Sequence, residues 1–236
     1  MNKLNIVVVI FGITVVCVSC GSIFPKVGNG NLVASERTVS SFEKINVSGS
    51  AEVRFFINDE YRVVVTVDSN LVEYTEVYTR GKVLNIGTKS GAYYFTKYLV
   101  DVYCPVLTGI SMSGSGQFSG NDTIITSTFN INISGSGEIN GTIECNTFSA
   151  GISGSGKITV TGSGSDSDID ISGSGAFYGN EFSINKATVH ISGSGKANIN
   201  VSENLYANIS GSGEIKYRGE PKIESKISGS GRIKEM

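Results

Sequence analysis

The sequence predicts an all-β protein whose body is a right-handed parallel β-solenoid with rungs of about 18 to 21 residues. The tetrapeptide SGSG recurs, apolar and polar residues alternate around it, and the chain holds 30 glycines but three prolines and no tryptophan. SGSG begins at Ser113, Ser134, Ser153, Ser172, Ser192, Ser210 and Ser228, at intervals of 21, 19, 19, 20, 18 and 18 residues. This short period with identical corners favours a coil that winds one way over a meander of β-hairpins, and the crossover rule predicts a right hand.

The residues around each SGSG indicate strands with one buried face. In one repeat every second residue is apolar or glycine: Phe129, Ile131, Ile133, Gly135, Gly137 and Ile139. Period-two alternation is typical of a half-buried β-strand, so we expect both glycines of each corner to face inward and both serines outward. Glycine suits the inside of a corner because a Cβ has no room there. One rung cannot bury its own apolar face, so stability must come from stacking on neighbours.

The N-terminal residues predict export and lipidation, with residues 1–19 as a signal peptide. Lys3 is followed by an apolar run from Leu4 to Val18 and then by small residues around Cys20. This order resembles a bacterial lipoprotein signal, in which Cys20 carries the lipid after cleavage; an uncleaved membrane anchor is the alternative. We therefore expect an outer-membrane lipoprotein of the cell envelope, facing the periplasm or the exterior, with residues 20–35 as a flexible tether.

Residues 36–108 have longer predicted strands than the repeat region, residues 109–236. These strands are Phe42 to Ile57, Tyr61 to Val67, Val72 to Tyr78, Val83 to Ile86 and Leu99 to Val106. The segment Ser48-Gly49-Ser50-Ala51 is a degenerate copy of the SGSG corner, and Arg80-Gly81-Lys82 predicts a hairpin turn. We expect this region to continue into the solenoid and to cover its N-terminal edge, which would otherwise invite strand addition.

Charge and composition argue against nucleic-acid binding and catalysis. The net charge of −2 provides no basic field for nucleic acid. The single histidine, His190, lacks neighbours in the pattern of a catalytic triad or a zinc site, so we predict that the protein is not an enzyme. Cys104 and Cys145 lie in phase with apolar residues, which favours buried free thiols; a disulfide between them is the alternative.

The densest aromatic stretch, Tyr93-Tyr94-Phe95 with Tyr98, is the candidate ligand-binding segment. Three adjacent aromatic residues cannot all face inward on a strand, and an exposed tyrosine suits stacking on a glycan or contact with a cell-surface protein. Covering the end of the solenoid is the alternative role for these rings. The outward serines of the SGSG corners could likewise bind a repetitive glycan, although tight corners also explain small residues.

Asp166, Asp168 and Asp170 alternate along one strand, so all three carboxylates are expected on one face. An exposed acidic stripe is the favoured interpretation, and calcium binding is the alternative because calcium prefers oxygen ligands; no other cofactor is expected. Acidic residues also suggest the second function hypothesis, a carbohydrate-active β-helix enzyme such as a polysaccharide lyase or a glycosidase.

Several segments together resemble a known family, the head GIN domain of putative auto-transporter adhesins found in Bacteroidetes. The matching segments, besides the SGSG series, are Phe42 to Gly49, Asp68-Ser69-Asn70-Leu71, Gly81 to Ile86 and Val100 to Pro105. The similarity runs from about residue 38 to the C-terminus. It implies an all-β, β-helix-like protein of the cell envelope with an adhesive role, and it carries over no catalytic residues. The expected function is a non-enzymatic, adhesin-like binding or scaffold module.

Overall fold

The structure, a computed structural model, describes residues 25–236. About 75% of these described residues are in strands, and parallel coils of roughly 19 residues stack into a β-solenoid of about 7 turns. The predicted all-β solenoid is therefore confirmed. The predicted signal peptide and Cys20 lie outside the described residues. In the part of the chain that the structure covers, no helix has the length and apolar character needed to cross a membrane.

The strands follow one another with a single short interruption, a 3-10 helix at Val72–Tyr74. In chain order the strands are β1 (Lys26–Val27), β2 (Leu32–Arg37), β3 (Lys44–Gly49), β4 (Glu52–Ile57), β5 (Arg62–Asp68), β6 (Thr75–Arg80), β7 (Val83–Thr88), β8 (Tyr93–Tyr94), β9 (Tyr98–Cys104), β10 (Gly109–Gly114), β11 (Gln117–Gly135), β12 (Glu138–Gly154), β13 (Lys157–Gly173), β14 (Ala176–Gly193), β15 (Lys196–Gly211), β16 (Glu214–Arg218), β17 (Lys222–Gly229) and β18 (Arg232–Glu235).

Each of the long strands β11 to β15 makes most of one coil and pairs in parallel with the next coil in register. Identical residues therefore stack on one another through the interior. One such column consists of Ile133, Ile152, Ile171, Ile191 and Ile209, each at most 2% exposed. Burial of one such side chain contributes about 1.5–3 kcal/mol, and the column is part of a core that no single coil could form.

The SGSG corners stack by backbone hydrogen bonds from coil to coil. The amide of the second serine donates a hydrogen bond to the carbonyl oxygen of the first glycine in the preceding corner, as in Ser136 N to Gly114 O at 2.9 Å. The amide of the residue after the second glycine donates to the carbonyl oxygen of the second glycine in the preceding corner, as in Glu138 N to Gly116 O at 3.0 Å. Two carbonyls of every corner are thus used by the next corner, which keeps the repeats in register.

The two glycines of a corner are required for different reasons, which corrects the prediction that both face inward. The first glycine is at least partly exposed, with φ between 114° and 128° in the seven SGSG corners. A Cβ on Gly173 would also lie 2.6 Å from the carbonyl oxygen of Gly154. The second glycine is the inward one: a Cβ on Gly175 would lie 2.4 Å from Cγ2 of Ile152. A tight turn forces the first glycine, and core packing forces the second.

The N-terminal region begins the solenoid rather than preceding it. Strands β3 and β4, with the degenerate corner between them, pair in parallel with β10 and β11. The hairpin around Gly81 joins β6 to β7, and β2 and β6 each pair in an antiparallel manner. These strands cover the N-terminal end of the coils. The predicted strand from Val72 to Tyr78 begins later, at Thr75, because its first turn is the 3-10 helix.

The predicted flexible tether, residues 20–35, is wrong for its described part. Strand β1 pairs with β8, and β2 pairs with β5 over six residues from Leu32 to Arg37. The alternating burial of β2 shows why: every second side chain is partly covered by the solenoid end. The short apolar segment gave too little periodicity to predict this pairing.

Cys104 and Cys145 are free thiols in the described structure; Cys104 is buried, as the alternation favoured, and Cys145 is half-buried. Burial raises the pKa of Cys104 to about 12 and that of Cys145 to about 11. Both therefore stay protonated at neutral pH and behave as small apolar side chains rather than nucleophiles.

We expect Gly173→Ala to lower the stability of the solenoid by at least about 2 kcal/mol, because alanine disfavours this positive φ and its Cβ would meet the preceding corner. Gly141→Ala is the matched control, since a Cβ at Gly141 has no heavy atom within 4 Å, and it should change stability by less than about 1 kcal/mol. Urea unfolding followed by circular dichroism measures both. Equal midpoints for the two variants would contradict the role assigned to the corner.

Candidate functional site

The predicted aromatic segment lines an open cleft of about 410 Å³ at the N-terminal end of the solenoid. We call it the aromatic cleft. Its lining comes from the continuous segment 93–98 and from residues beside the first two corners, Ser50, Glu52, Ser115 and Gln117. The lining therefore combines the exposed ring of Tyr94 and the half-buried rings of Tyr93 and Phe95 with hydroxyl, amide and charged groups, so it offers a ligand both a ring to stack on and hydrogen-bond partners.

The backbone of the cleft is held by the first described residues of the chain. Strand β1 pairs with β8 in parallel, with Val27 opposite Tyr94. The amide of Lys26 donates to Ala92 O at 2.9 Å, and the amide of Gly28 donates to Tyr94 O at 2.8 Å. The segment that precedes the solenoid is thus part of the site.

Asp68 joins the N-terminal segment to the cleft. Its side chain is fully buried, and its two oxygens accept hydrogen bonds from the amides of Gly30 and Thr96, each at 2.8 Å. Burial alone would raise the pKa of Asp68, but hydrogen bonds from Gly30, Thr96 and Lys97 lower it below its ordinary value. The ionised carboxylate is therefore the form that fits this position.

The sequence pattern does not predict this role for Asp68, which lies in the segment Asp68-Ser69-Asn70-Leu71 of the family resemblance. Asn70 completes the junction: its side-chain amide donates to Val27 O at 2.9 Å and its oxygen accepts from Asn29 N at 3.1 Å. The signal in the sequence was a cluster of polar residues that form turns, directly after a strand of β-branched residues. That pattern does not show which distant residues Asp68 and Asn70 contact.

The tyrosines predicted to bind a ligand have different environments. Tyr98 is 5% exposed, and its hydroxyl donates to Gly87 O at 2.6 Å; burial raises the pKa of its phenol. Tyr93 stacks on Tyr74 with ring centroids 5.2 Å apart. Tyr94 is 66% exposed. The structure thus brings all three to the cleft, but Tyr98 packs against the core while Tyr94 presents its ring to solvent.

A second depression, of about 390 Å³, runs along the outer face of several coils, and we call it the ladder groove. Two register columns line it. The columns are Asn46, Ser111, Asn132, Gly151 and Asp170, and beside them Ser113, Ser134, Ser153 and Ser172. Parallel strands place these groups about 4.8 Å apart along the solenoid. Met112, Ile133 and Ile152 also line the groove, so it combines regularly spaced polar groups with an apolar floor.

The three aspartates predicted as an acidic stripe or calcium site all lie exposed on one face. The structure brings together Asp168, Asp170 and His190, whose potential ligand atoms lie within 4.8 Å of one another, whereas Asp166 is not in this group. Asp170 and His190 are register partners on adjacent coils. An imidazole beside two carboxylates is a donor set more typical of zinc than of calcium, but all three residues lie on an open strand surface.

We expect the junction at Asp68 to weaken in acid. Because the pKa of this carboxyl is lowered in the folded protein, its ionised form stabilises the fold above the ordinary Asp pKa of about 3.9. This contribution is lost as the pH falls through the lower pKa of the folded state. Asp68→Asn should have the same effect at neutral pH. In hydrogen exchange, the amides of Gly30 and Thr96 should then exchange about tenfold faster or more. The exposed Asp170→Asn is the control, and unchanged exchange at Gly30 in Asp68→Asn would contradict the assignment.

Comparison with known proteins identifies the same architecture elsewhere. A crystal structure of a "putative lipid binding protein" from Parabacteroides distasonis ATCC 8503 is 28% identical, with a TM-score of 0.76 over 90% of this chain and 100% of that one. A putative adhesin from Bacteroides fragilis NCTC 9343 is 22% identical, with a TM-score of 0.82 over 89% of this chain and 99% of that one. A putative adhesin from Parabacteroides merdae ATCC 43184 is 24% identical, with a TM-score of 0.71 over 89% and 98%. A search of curated proteins finds no match.

The two adhesin structures share the fold at identities below 25%, and none of the three proteins is described as an enzyme. The model of the family described as "putative auto-transporter adhesin, head GIN domain" matches residues 41–221, which include the degenerate first corner, Asp68 and six of the seven SGSG corners. The chain therefore belongs to the head GIN domain family of putative auto-transporter adhesins.

Proposed function

We propose that this protein is a non-enzymatic lipoprotein of the cell envelope, anchored in the outer membrane, that acts as an adhesin-like module and binds glycans at the aromatic cleft. The observation that carries the proposal is the exposed ring of Tyr94 among polar side chains. Tyr94 is 66% exposed, and its neighbours in the cleft include Lys97 and Gln117. Membership of an adhesin family supports a binding role rather than a chemical one.

The lining of the cleft suits the two faces of a sugar ring. The C–H face of a pyranose packs on an aromatic ring, and its hydroxyls need hydrogen-bond partners at the edge. Tyr94 supplies the aromatic surface, while Ser115, Gln117 and Glu52 supply donors and acceptors. Tyr93 is fixed by stacking on Tyr74, so binding need not order this ring, which lowers the entropic cost.

The ladder groove extends this role along the solenoid. Its amides and hydroxyls repeat once per coil, and a glycan with a repeating unit could contact several of them at once. Each contact is weak because the groups are exposed, but contacts held on one rigid face act together. The cleft would then select the ligand, and the groove would add affinity for long chains.

A carbohydrate-active enzyme is the weaker hypothesis. Glycosidases place two carboxylates on either side of the scissile bond. Asp166, Asp168 and Asp170 lie exposed along one strand face instead, alternating with the inward Ser167 and Ile169. This arrangement supports a solvated acidic stripe, and it fits a binding surface better than a catalytic centre.

A lipid surface is a second candidate ligand for the same cleft. One solved relative, 28% identical, is described as a putative lipid binding protein. In this chain Val27, 62% exposed, is the register partner of Tyr94, and paired residues on adjacent strands point to the same face. An apolar side chain beside an exposed tyrosine is typical of surfaces at the membrane interface.

We expect Tyr94→Ala to weaken glycan binding by about tenfold, which corresponds to about 1.4 kcal/mol of lost stacking. A glycan array probed with the intact protein would identify a ligand, and calorimetry would then compare the variants. Tyr78→Ala is the control, because Tyr78 is 50% exposed but does not line the cleft.

Binding to no glycan, or equal affinity of Tyr94→Ala and Tyr78→Ala, would contradict the glycan proposal. Vesicles of outer-membrane phospholipid are the second arm of the experiment. Binding to vesicles that depends on Tyr94, without binding to glycans, would assign the cleft to lipid instead.

We expect Cys20→Ser to release the protein from the membrane fraction, since Cys20 is the residue predicted to carry the lipid. Fractionation of cells that express each form measures this, and protease treatment of intact cells shows which side the wild type faces. The control is Cys145→Ser, because Cys145 lies within the solenoid. A Cys20→Ser variant that stays with the membrane would contradict the lipoprotein proposal and leave the cleft to be tested separately.

A further inference from the structure

The coil formed by the last described residues has an open edge among residues 25–236. Strand β17 pairs on one side with β15 from Asn204 onward. On its other side, no strand pairs with it among residues 25–236. The backbone N–H and C=O groups along that edge are therefore available for a further strand, which is the feature that β-proteins usually cover or disrupt.

Three residues of β17 stack on buried residues of the preceding coil: Ser225 stacks on Ala207, and the other two are apolar but not covered. Ile223 and Ile227 stack on Leu205 and Ile209 of the preceding coil. Leu205 and Ile209 are both 0% exposed, whereas Ile223 is 39% and Ile227 is 43% exposed. One more layer on β17 would bury both isoleucines as the earlier coils bury theirs.

The sequence of β17 is complementary to itself in the antiparallel direction. If two copies pair with Ser225 opposite Ser225, then Ile223 lies opposite Ile227 and Glu224 lies opposite Lys226. Opposed residues point to the same face, so the isoleucines meet on the inner face and the charges meet on the outer face. Neither Glu224 nor Lys226 forms a salt bridge within the described chain.

Neighbouring registers lose this match. A shift that places Glu224 opposite Glu224 sets like charges against each other, and one that places Lys226 opposite Lys226 does the same. A shift of one position sets an apolar residue opposite a polar one. The register centred on Ser225 is therefore favoured over its immediate alternatives by both charge and burial.

We propose that a second copy of this chain docks on the open edge, so that two solenoids meet end to end through antiparallel β17 strands. The interface is isologous: each Glu224–Lys226 pair occurs twice about a two-fold axis, which closes the assembly at a dimer. The opposite end does not offer the same contact, because antiparallel strands β2 and β6 cover it. The dimer holds the two aromatic clefts at its outer ends.

Charge reversal at Glu224 or Lys226, in a protein that contains residues 25–236, tests this pairing. Glu224→Lys places lysine opposite Lys226, and Lys226→Glu places glutamate opposite Glu224. Each variant turns both attractive pairs into repulsive ones, so we expect the dimer to dissociate at least about tenfold more readily. Analytical ultracentrifugation over a range of concentrations up to about 100 µM measures the dissociation constant.

Two restorations make the test specific. An equimolar mixture of the Glu224→Lys and Lys226→Glu variants should form a mixed dimer, because every lysine then faces a glutamate. The double variant E224K/K226E should recover the wild-type dissociation constant for the same reason. Circular dichroism checks that each variant is folded, and Lys196→Glu, on an earlier coil, controls for a change in net charge.

A wild-type protein that stays monomeric up to about 100 µM would overturn the proposal. The proposal would also be overturned if Glu224→Lys and Lys226→Glu each left the dissociation constant of the dimer unchanged. Failure of these two variants to associate when mixed would overturn it as well. These outcomes are independent of glycan binding, so the proposed ligand of the aromatic cleft is tested separately.

Discussion

The stacking of one SGSG corner on the next is the constraint on which the rest of this structure depends. Because carbonyls of both glycines accept hydrogen bonds from the following corner, each coil is placed at a fixed height and register above the last. A side chain at the first glycine would occupy the space of that backbone contact, and one at the second would enter the isoleucine column. Glycine is thus what allows coils to approach closely enough to share a core.

The same register determines the outer surface. Once corners stack, every outward position becomes a column that runs the length of the solenoid, and the sequence decides its chemistry. Serines beside the corner form a continuous row of hydroxyls, while the adjacent column changes from Asn132 through Gly151 to Asp170 and His190. The bare backbone at Gly151 contributes to the depression of the ladder groove. A rigid β-surface of this kind presents functional groups at a fixed spacing without any further ordering of loops.

The repeat could be predicted because its information is local: strand, corner and period are all visible within about 20 residues of sequence. The ends could not, because they depend on contacts between distant segments. Asp68 acts on Gly30 and Thr96, and β2 is a strand only because β5 lies beside it. For the cleft, sequence reasoning selected Tyr93, Tyr94 and Tyr98, but it could not separate the exposed Tyr94 from the buried Tyr98, since that difference depends on how the segment meets the solenoid end.

The two ends of the solenoid differ in physical character, and this limits how the protein can work. At the N-terminal end antiparallel strands cover the core, and β1 lies against the aromatic cleft. If Cys20 carries a lipid, the five residues up to Pro25 reach at most about 18 Å, so the cleft must stay near the membrane that holds the protein. A ligand bound there would belong to the same envelope, whereas the ladder groove extends away from the anchor. Two copies joined end to end would carry their anchors at opposite ends, so their coils would lie along one membrane or span the gap between two. In both arrangements the cleft would act close to the lipid.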